Sequence, residues 1–185
     1  ANTYMIYKRM KGTIMETIVQ AKRVLEIFKE MSQIPRESGN EKGISDYIVN
    51  FAKNLGLEAH QDEILNVVIK KDASPGYESR PSIIIQGHID MVCVKDHASN
   101  HDFSKDPIAN IIEGEWMRAD HTTLGADNGM GAAMMLAILE DESQQHGPMQ
   151  LLFTTNEETG MDGAFALKEG QVTGDYLINL DTEVE

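Results

Sequence analysis

The amino-acid sequence predicts an α/β protein in which a mixed central sheet is flanked by helices. Helical and strand-like segments alternate along the chain, which is typical of this class. The apolar run 82–85 follows a proline and has the composition of a strand buried on both faces. No repeat, low-complexity tract or interdomain linker divides the 185 residues, so one domain with a sizeable core is expected.

The first part of the chain predicts two helices and two strands. Apolar residues recur at helical spacing over 16–32, and Ile34-Pro35 ends that helix before a polar turn at 36–39. Asn40 is predicted to cap a second helix that ends near Gly56. The strands and the loop that follow are predicted over 57–61, 64–70 and 71–80.

The second part predicts a polar loop, a hairpin that turns at Glu113-Gly114, and alternating helices and strands. A helix should begin at the GADNG turn, with its apolar positions at Met130, Ala133, Met134, Ala137 and Ile138. The remaining elements are predicted as a strand over 149–155, a short helix over 160–168 and a last strand over 175–180.

The central strand ends in two polar side chains, His88 and Asp90. Residues two apart in a strand project to the same side, so these two should lie together at the carboxyl end of the strand. Open α/β sheets bind ligands at that edge, and an imidazole beside a carboxylate is a common arrangement in metal sites. The alternative is a loop histidine near a surface aspartate, and this stretch alone leaves both open.

Acidic side chains also follow the other strands. Glu157 and Glu158 follow the strand over 149–155, Asp181 follows the last strand, and Asp127 lies in a glycine-flanked turn. Carboxylates gathered at one sheet edge repel one another unless a positive group lies between them, and a divalent metal is such a group. Imidazole with carboxylates and no thiolate suits zinc, manganese or cobalt. Because neighbouring side chains diverge, one of the two glutamates could hold the metal and the other act as a general base.

The composition excludes several other functions. A formal net charge of −14 argues against nucleic acid and against an anionic membrane surface as partners. Cys93 is the single cysteine, so no intrachain disulfide forms, and a reducing cytoplasm fits. The sequence contains no phosphate-binding glycine loop, dinucleotide fingerprint or serine nucleophile elbow.

Four motifs resemble the di-zinc M20 metallopeptidases, and within them the aminoacyl-histidine (Xaa-His) dipeptidase subfamily. They are GHIDMV at 87–92, TTLGADNG at 122–129, TTNEETGMDGA at 154–164 and INLDTE at 178–183. The stretches IPRESGNEKGISDYIVNFAKNLGLE and HDFSKDPI are similar to that subfamily beyond these motifs. The resemblance therefore implies a zinc-peptidase-like sheet and hydrolysis of dipeptides, including carnosine-like Xaa-His substrates, by a metal-activated water.

The resemblance also implies a role for each residue of the site. The metal ligands would be His88, Asp127, Glu158 and Asp181, with Asp127 bridging two divalent ions, most simply zinc, and cobalt or manganese as alternatives. Asp90 would orient His88 through the far ring nitrogen, and Glu157 would be the general base. The peptide bond between Asp127 and Asn128 would be cis. A dipeptide would be the substrate, and the full-length protein could form a homodimer.

The chain departs from this family in length. Relatives carry a separate lid domain and then a return to the catalytic domain that supplies a last histidine ligand, so we expect 15–185 to be the amino-terminal portion of the catalytic domain. Residues 1–14 are basic, have no clear amphipathic pattern and precede Met15 at the start of a strong helix, so we expect them to be an extraneous leader. The remaining sheet should then expose an edge and apolar surface. The fragment alone is expected to be inactive. The alternatives are an N-acyl amino acid deacylase or other exopeptidase of this family, and a truncated product or α/β module without catalytic activity.

Overall fold

The computed structural model describes residues 14–181, so the predicted leader lies largely outside the described residues. The helices are α1 (Ile14–Met31), α2 (Lys42–Asn54), α3 (Ala126–Glu140), α4 (Glu157–Gly160) and α5 (Asp162–Phe165). The strands are β1 (Glu58–Gln61), β2 (Val67–Lys71), β3 (Ile83–His88), β4 (Asn110–Glu113), β5 (Trp116–Ala119), β6 (Met149–Thr154) and β7 (Tyr176–Asn179). None of the helices within these residues is long and apolar enough to cross a bilayer.

The central sheet is mixed, as predicted. Its strands lie in the order β1-β2-β6-β3-β7, while β4 and β5 form the separate predicted hairpin. Strand β3 pairs in parallel with both β6 and β7, whereas β2 is antiparallel to β1 and to β6. The carboxyl ends of β3, β6 and β7 therefore meet at one edge, which is where the polar side chains were predicted to gather.

The sheet is covered on both faces in its centre. Alternate strand residues such as Ile69 and Phe153 join one large core with α1, α2 and α3. The residues between them, such as Val68 and Leu152, form a small cluster on the other face against Leu167. Because successive strand side chains point to opposite faces and both faces are covered, β3 and β6 contain apolar runs.

Strand β7 forms an exposed edge of the sheet. Tyr176, Leu177 and Ile178 are 62%, 59% and 46% exposed, and β7 pairs with β3 alone among the described strands. This agrees with the predicted exposed edge and apolar surface.

Two local predictions were wrong. Asn40 does not cap α2, because the residue before this helix is Glu41. The backbone amide of Asn40 instead donates to the Glu37 carbonyl and closes a turn. The segment predicted as one helix over 160–168 is instead two single turns, α4 and α5, because Met161 between them takes a left-handed conformation (φ 59°). The polar turn predicted at 36–39 is present, although its first residue, Arg36, is buried.

The buried residues of helix α3 overlap only partly with the predicted set. Ala133 is fully buried as predicted, and the predicted positions other than Met134 are at least partly buried against the core. Met134 is 37% exposed, whereas Met135 and Leu136 are fully buried. The sequence of α3 is apolar on nearly all sides, so its spacing does not select a face. Packing against α1 and β3 makes that selection.

Candidate metal centre

His88 and Asp90 lie at the carboxyl end of β3, and both are inaccessible to solvent. Their exposed fractions are 1% and 0%, so the alternative of a loop histidine beside a surface aspartate is wrong. His88 Nδ1 lies 3.2 Å from Asp90 Oδ1, at an angle that leaves Nδ1 without a well-formed hydrogen bond. Strand β3 lies between β6 and β7 in the sheet, so this pair lies beside the carboxyl ends of those two strands.

Asp90 connects the end of β3 to the segment that follows β6. Its Oδ1 accepts a hydrogen bond from the backbone amide of Glu157 (3.0 Å), and Oδ2 accepts from Ser38 Oγ (2.7 Å) and the amide of Glu158 (3.2 Å). Burial raises the pKa of Asp90, but His88 and these donors outweigh burial and lower the pKa to about 2. Asp90 therefore remains a carboxylate at neutral pH.

Three carboxylates surround the other ring nitrogen of His88. Nε2 lies 3.3 Å from Asp127 Oδ1, 3.7 Å from Asp181 Oδ2 and 3.8 Å from Glu157 Oε2. They come from the start of α3, the end of β7 and the start of α4. The structure thus brings together side chains that are distant in the sequence, as the strand-end argument predicted.

The charges of these groups are mutually dependent. Burial lowers the pKa of His88, but Asp90, Asp181 and Glu157 outweigh it and raise the pKa to about 9. Burial raises the pKa of Glu158 and of Asp181, and nearby carboxylates raise both further. A divalent cation would remove this repulsion by compensating the negative charge.

Among the side chains that the structure describes, two groups have ligand atoms close enough to share an ion. They are His88, Asp127 and Asp181, and His88, Glu157 and Glu158, with the atoms of each group within 4.8 Å of one another. This imidazole and carboxylate donor set fits zinc, cobalt or manganese. The assignment of Glu158 as a ligand, of Glu157 as the base and of Asp127 as a bridge stays a prediction.

The Asp127 turn has the backbone that the resemblance implied. The peptide bond between Asp127 and Asn128 is cis, so that expectation is confirmed. Asn128 Nδ2 donates to Leu180 O (3.0 Å) and to Asp181 Oδ1 (3.1 Å), which joins the start of α3 to the end of β7. Sequence reasoning missed Asn128 as a residue of the site, although its position next to Asp127 was a signal.

Three other histidines lie outside the candidate metal centre. His97, His101 and His121 belong to neither ligand group found within residues 14–181. His121 Nδ1 instead lies 2.7 Å from Asp96 Oδ2 on the surface, and the His101 ring contacts Phe103 edge-on.

Ser38 contacts Asp90 but was predicted only as part of a polar turn, because no spacing rule connects it to a strand 50 residues away.

Known protein families and relatives match the part of the chain that carries the candidate metal centre. The pattern of Peptidase family M20/M25/M40 matches residues 84–183, a span that contains the His88, Asp127, Glu157, Glu158 and Asp181 motifs. The chain is 46% identical over 160 residues to the cytosol non-specific dipeptidase of Escherichia coli, a match that covers 86% of this chain and 33% of that protein.

Solved structures show the same fold. The aminoacylhistidine dipeptidase of Vibrio alginolyticus superposes with a TM-score of 0.85 at 44% identity, over 88% of this chain and 33% of that one. A tripeptidase of Staphylococcus aureus superposes with a TM-score of 0.74 at 26% identity, over 88% of this chain and 44% of that one. The chain therefore spans about a third of the length of its more similar relatives.

Proposed function

Because the chain belongs to the M20/M25/M40 peptidase family, we propose that the full-length protein is a metal-dependent dipeptidase that accepts Xaa-His dipeptides. The observation that carries this proposal is the position of His88 Nε2, buried and within 3.8 Å of carboxylates from three separate elements. The names of the similar proteins, a non-specific dipeptidase and an aminoacylhistidine dipeptidase, support the substrate class. The cytosolic relative and the lone Cys93 support a cytosolic location.

In the proposed mechanism the two divalent ions would be held by His88, Asp127, Glu158 and Asp181, and would polarise the scissile carbonyl and acidify water. Glu157 accepts the proton of the attacking water and then returns it to the leaving amine. Its side chain is 31% exposed, while its backbone amide donates a hydrogen bond to Asp90 Oδ1. Such a position lets the side chain reach both the water and the leaving group.

The test of this mechanism uses full-length protein with a panel of Xaa-His dipeptides, other dipeptides and N-acyl amino acids. Hydrolysis of dipeptides should disappear with a chelator and return with zinc, cobalt or manganese. Glu157→Gln should retain the metal and lose about 10²–10⁴-fold or more in turnover, because an amide cannot accept the proton. Glu58→Gln, a change of an exposed glutamate on β1, is the matched control and should turn over normally.

Two results would contradict the proposal. Preference for N-acyl amino acids would favour the deacylase alternative. Normal turnover by Glu157→Gln would reject Glu157 as the base.

The 185-residue chain by itself is proposed to bind at most one zinc ion tightly and to have little peptidase activity. Both ligand groups contain His88, whose Nδ1 faces Asp90, so one ring nitrogen is available for one ion. Two ions with three protein ligands each would need a further ligand. Calorimetric titration of this chain with zinc should give a stoichiometry of about one. Two tight ions, or robust dipeptide hydrolysis, would mean that another residue or a second chain supplies that ligand.

A further inference from the structure

The connection between α1 and α2 contacts three of the four segments that carry the candidate metal centre, namely the ends of β3 and β6 and the turn before α3. We infer that Arg36, together with Ser38 and Glu41, positions these segments relative to one another, so that residues 36–41 (the 36–41 connection) set the geometry of the metal ligands. This inference rests on the proposed metal-dependent function and adds positioning residues that neither the motifs nor the ligand groups contain.

Arg36 is the centre of this arrangement. Its side chain is buried, with the residue 2% exposed, and Nη1 donates to the carbonyl oxygens of Ile89 and Asp90, each at 3.1 Å. Nη2 donates to the carbonyl oxygen of Gly125. One planar guanidinium thus joins the turn after β3 to the turn before α3. Burial lowers the pKa of Arg36 to about 10, so the group is still charged at neutral pH.

The glycines around Asp127 make room for this guanidinium. A Cβ atom at Gly125 or at Gly129 would lie 2.5 Å from Arg36 Nη2, which is closer than real contacts allow. Gly125 also has a positive φ of 71°. The two glycines that bracket Asp127-Asn128 are therefore explained by the approach of Arg36 beneath the turn.

Ser38 and Glu41 extend the same connection to the rest of the site. Ser38 Oγ donates to Asp90 Oδ2 at 2.7 Å, and so fixes the carboxylate beside His88. The buried Glu41 accepts a hydrogen bond through Oε1 from the backbone amide of Asn156 (3.0 Å), the residue before Glu157. The 36–41 connection thereby contacts the ends of β3 and β6 and the start of α3.

The contacts of the 36–41 connection should affect the positions of the metal ligands more than the stability of the fold. Metal ligands must lie within a few tenths of an ångström of their correct positions, and the groups that orient them affect affinity strongly. Lysine at position 36 would retain the charge, but one ammonium cannot span carbonyls in two turns. Arg36→Lys should therefore shift the Asp127 turn relative to His88.

The experiment compares cobalt and zinc binding by full-length protein and its variants. Cobalt affinity and the visible absorption of the bound ion report ligand geometry, while thermal unfolding without metal reports stability. Arg36→Lys should lower the metal affinity by about 10–100-fold and change the cobalt spectrum. The matched control is Arg23→Lys, which replaces a guanidinium paired with Glu30 within α1 and with Glu140 of α3 and should change stability alone.

A second pair of variants tests the connection if Arg36→Lys does not fold. Ser38→Ala should weaken cobalt binding by roughly 3–10-fold, and Ser38→Thr, which retains the hydroxyl, should restore it. Ser32→Ala is the control, because this buried hydroxyl donates to Phe28 O and does not contact the site.

Three outcomes would overturn the inference. Arg36→Lys that is folded, with wild-type cobalt affinity and spectrum, would show that Arg36 does not position the ligands. Ser38→Ala that binds cobalt as wild type does would reject the role of Ser38. Wild-type protein that binds no cobalt or zinc would reject the proposed metal site itself, and with it the inference.

Discussion

Asp90→Asn is the most informative single change, because it retains the shape of the side chain and alters only its charge and hydrogen bonding. Asp90 Oδ1 faces the amide of Glu157 and His88 Nδ1, whereas Oδ2 faces Ser38 Oγ and the amide of Glu158. An asparagine side chain has one oxygen and one NH₂ group. In either orientation, its NH₂ group meets a backbone N–H donor that then has no acceptor.

The magnitude follows from these contacts. A buried donor without a partner costs about 1–3 kcal/mol, and loss of the carboxylate beside a charged His88 adds to this. We expect the free energy of unfolding of the metal-free protein to fall by roughly 2–4 kcal/mol. Zinc affinity should fall by about 10–100-fold, because His88 loses the group that orients it.

Urea unfolding and zinc titration calorimetry at pH 7.5 would measure both effects. Loss of Asp90 also lowers the pKa of His88, which reduces competition by protons, so a loss of affinity at this pH understates the effect on orientation. Asp175→Asn is the matched control, since Asp175 is exposed and accepts from Ser82 N and Oγ at the opposite end of β3. A folded Asp90→Asn protein with wild-type zinc affinity would refute the role of Asp90.

Two further predictions concern pH and packing. The pKa of His88 in the folded, metal-free protein is about 9, above its ordinary 6.5, so its stabilising contribution is fully present below pH 6.5 and is lost as the pH rises through 9. Urea unfolding should therefore show that the difference in unfolding free energy between wild type and His88→Gln shrinks by on the order of 3 kcal/mol between pH 6 and pH 10. A difference that stays constant over this range would contradict the charge assigned to His88. Gly131→Ala would place a Cβ atom 2.2 Å from Asn128 Oδ1 and should lower the free energy of unfolding by about 1–3 kcal/mol in thermal or urea unfolding. Gly160→Ala meets nothing closer than 3.6 Å and is the control; equal stability of the two variants would show that the Asn128 turn adjusts freely.

The sequence alone determined the features that depend on local pattern. The apolar run of β3 and its polar end predicted where His88 and Asp90 lie, since strand periodicity fixes the side to which residues two apart point. The order of helices and strands predicted the mixed α/β sheet. The resemblance in the four motifs predicted the cis peptide bond at Asp127-Asn128, and the structure contains it.

Tertiary structure alone decided the features that depend on contacts between distant segments. Arg36 and Ser38 belong to a stretch that looks like a solvated turn, and only folding brings it beneath Asp90 and Gly125. The buried face of α3 could not be selected from its sequence, because apolar residues surround the helix and packing against α1 and β3 makes the choice. Local patterns specify the elements and the direction of their side chains. The partner of a buried charge depends on which distant backbone groups still need a hydrogen bond, and the face that a helix buries depends on which distant segments pack against it.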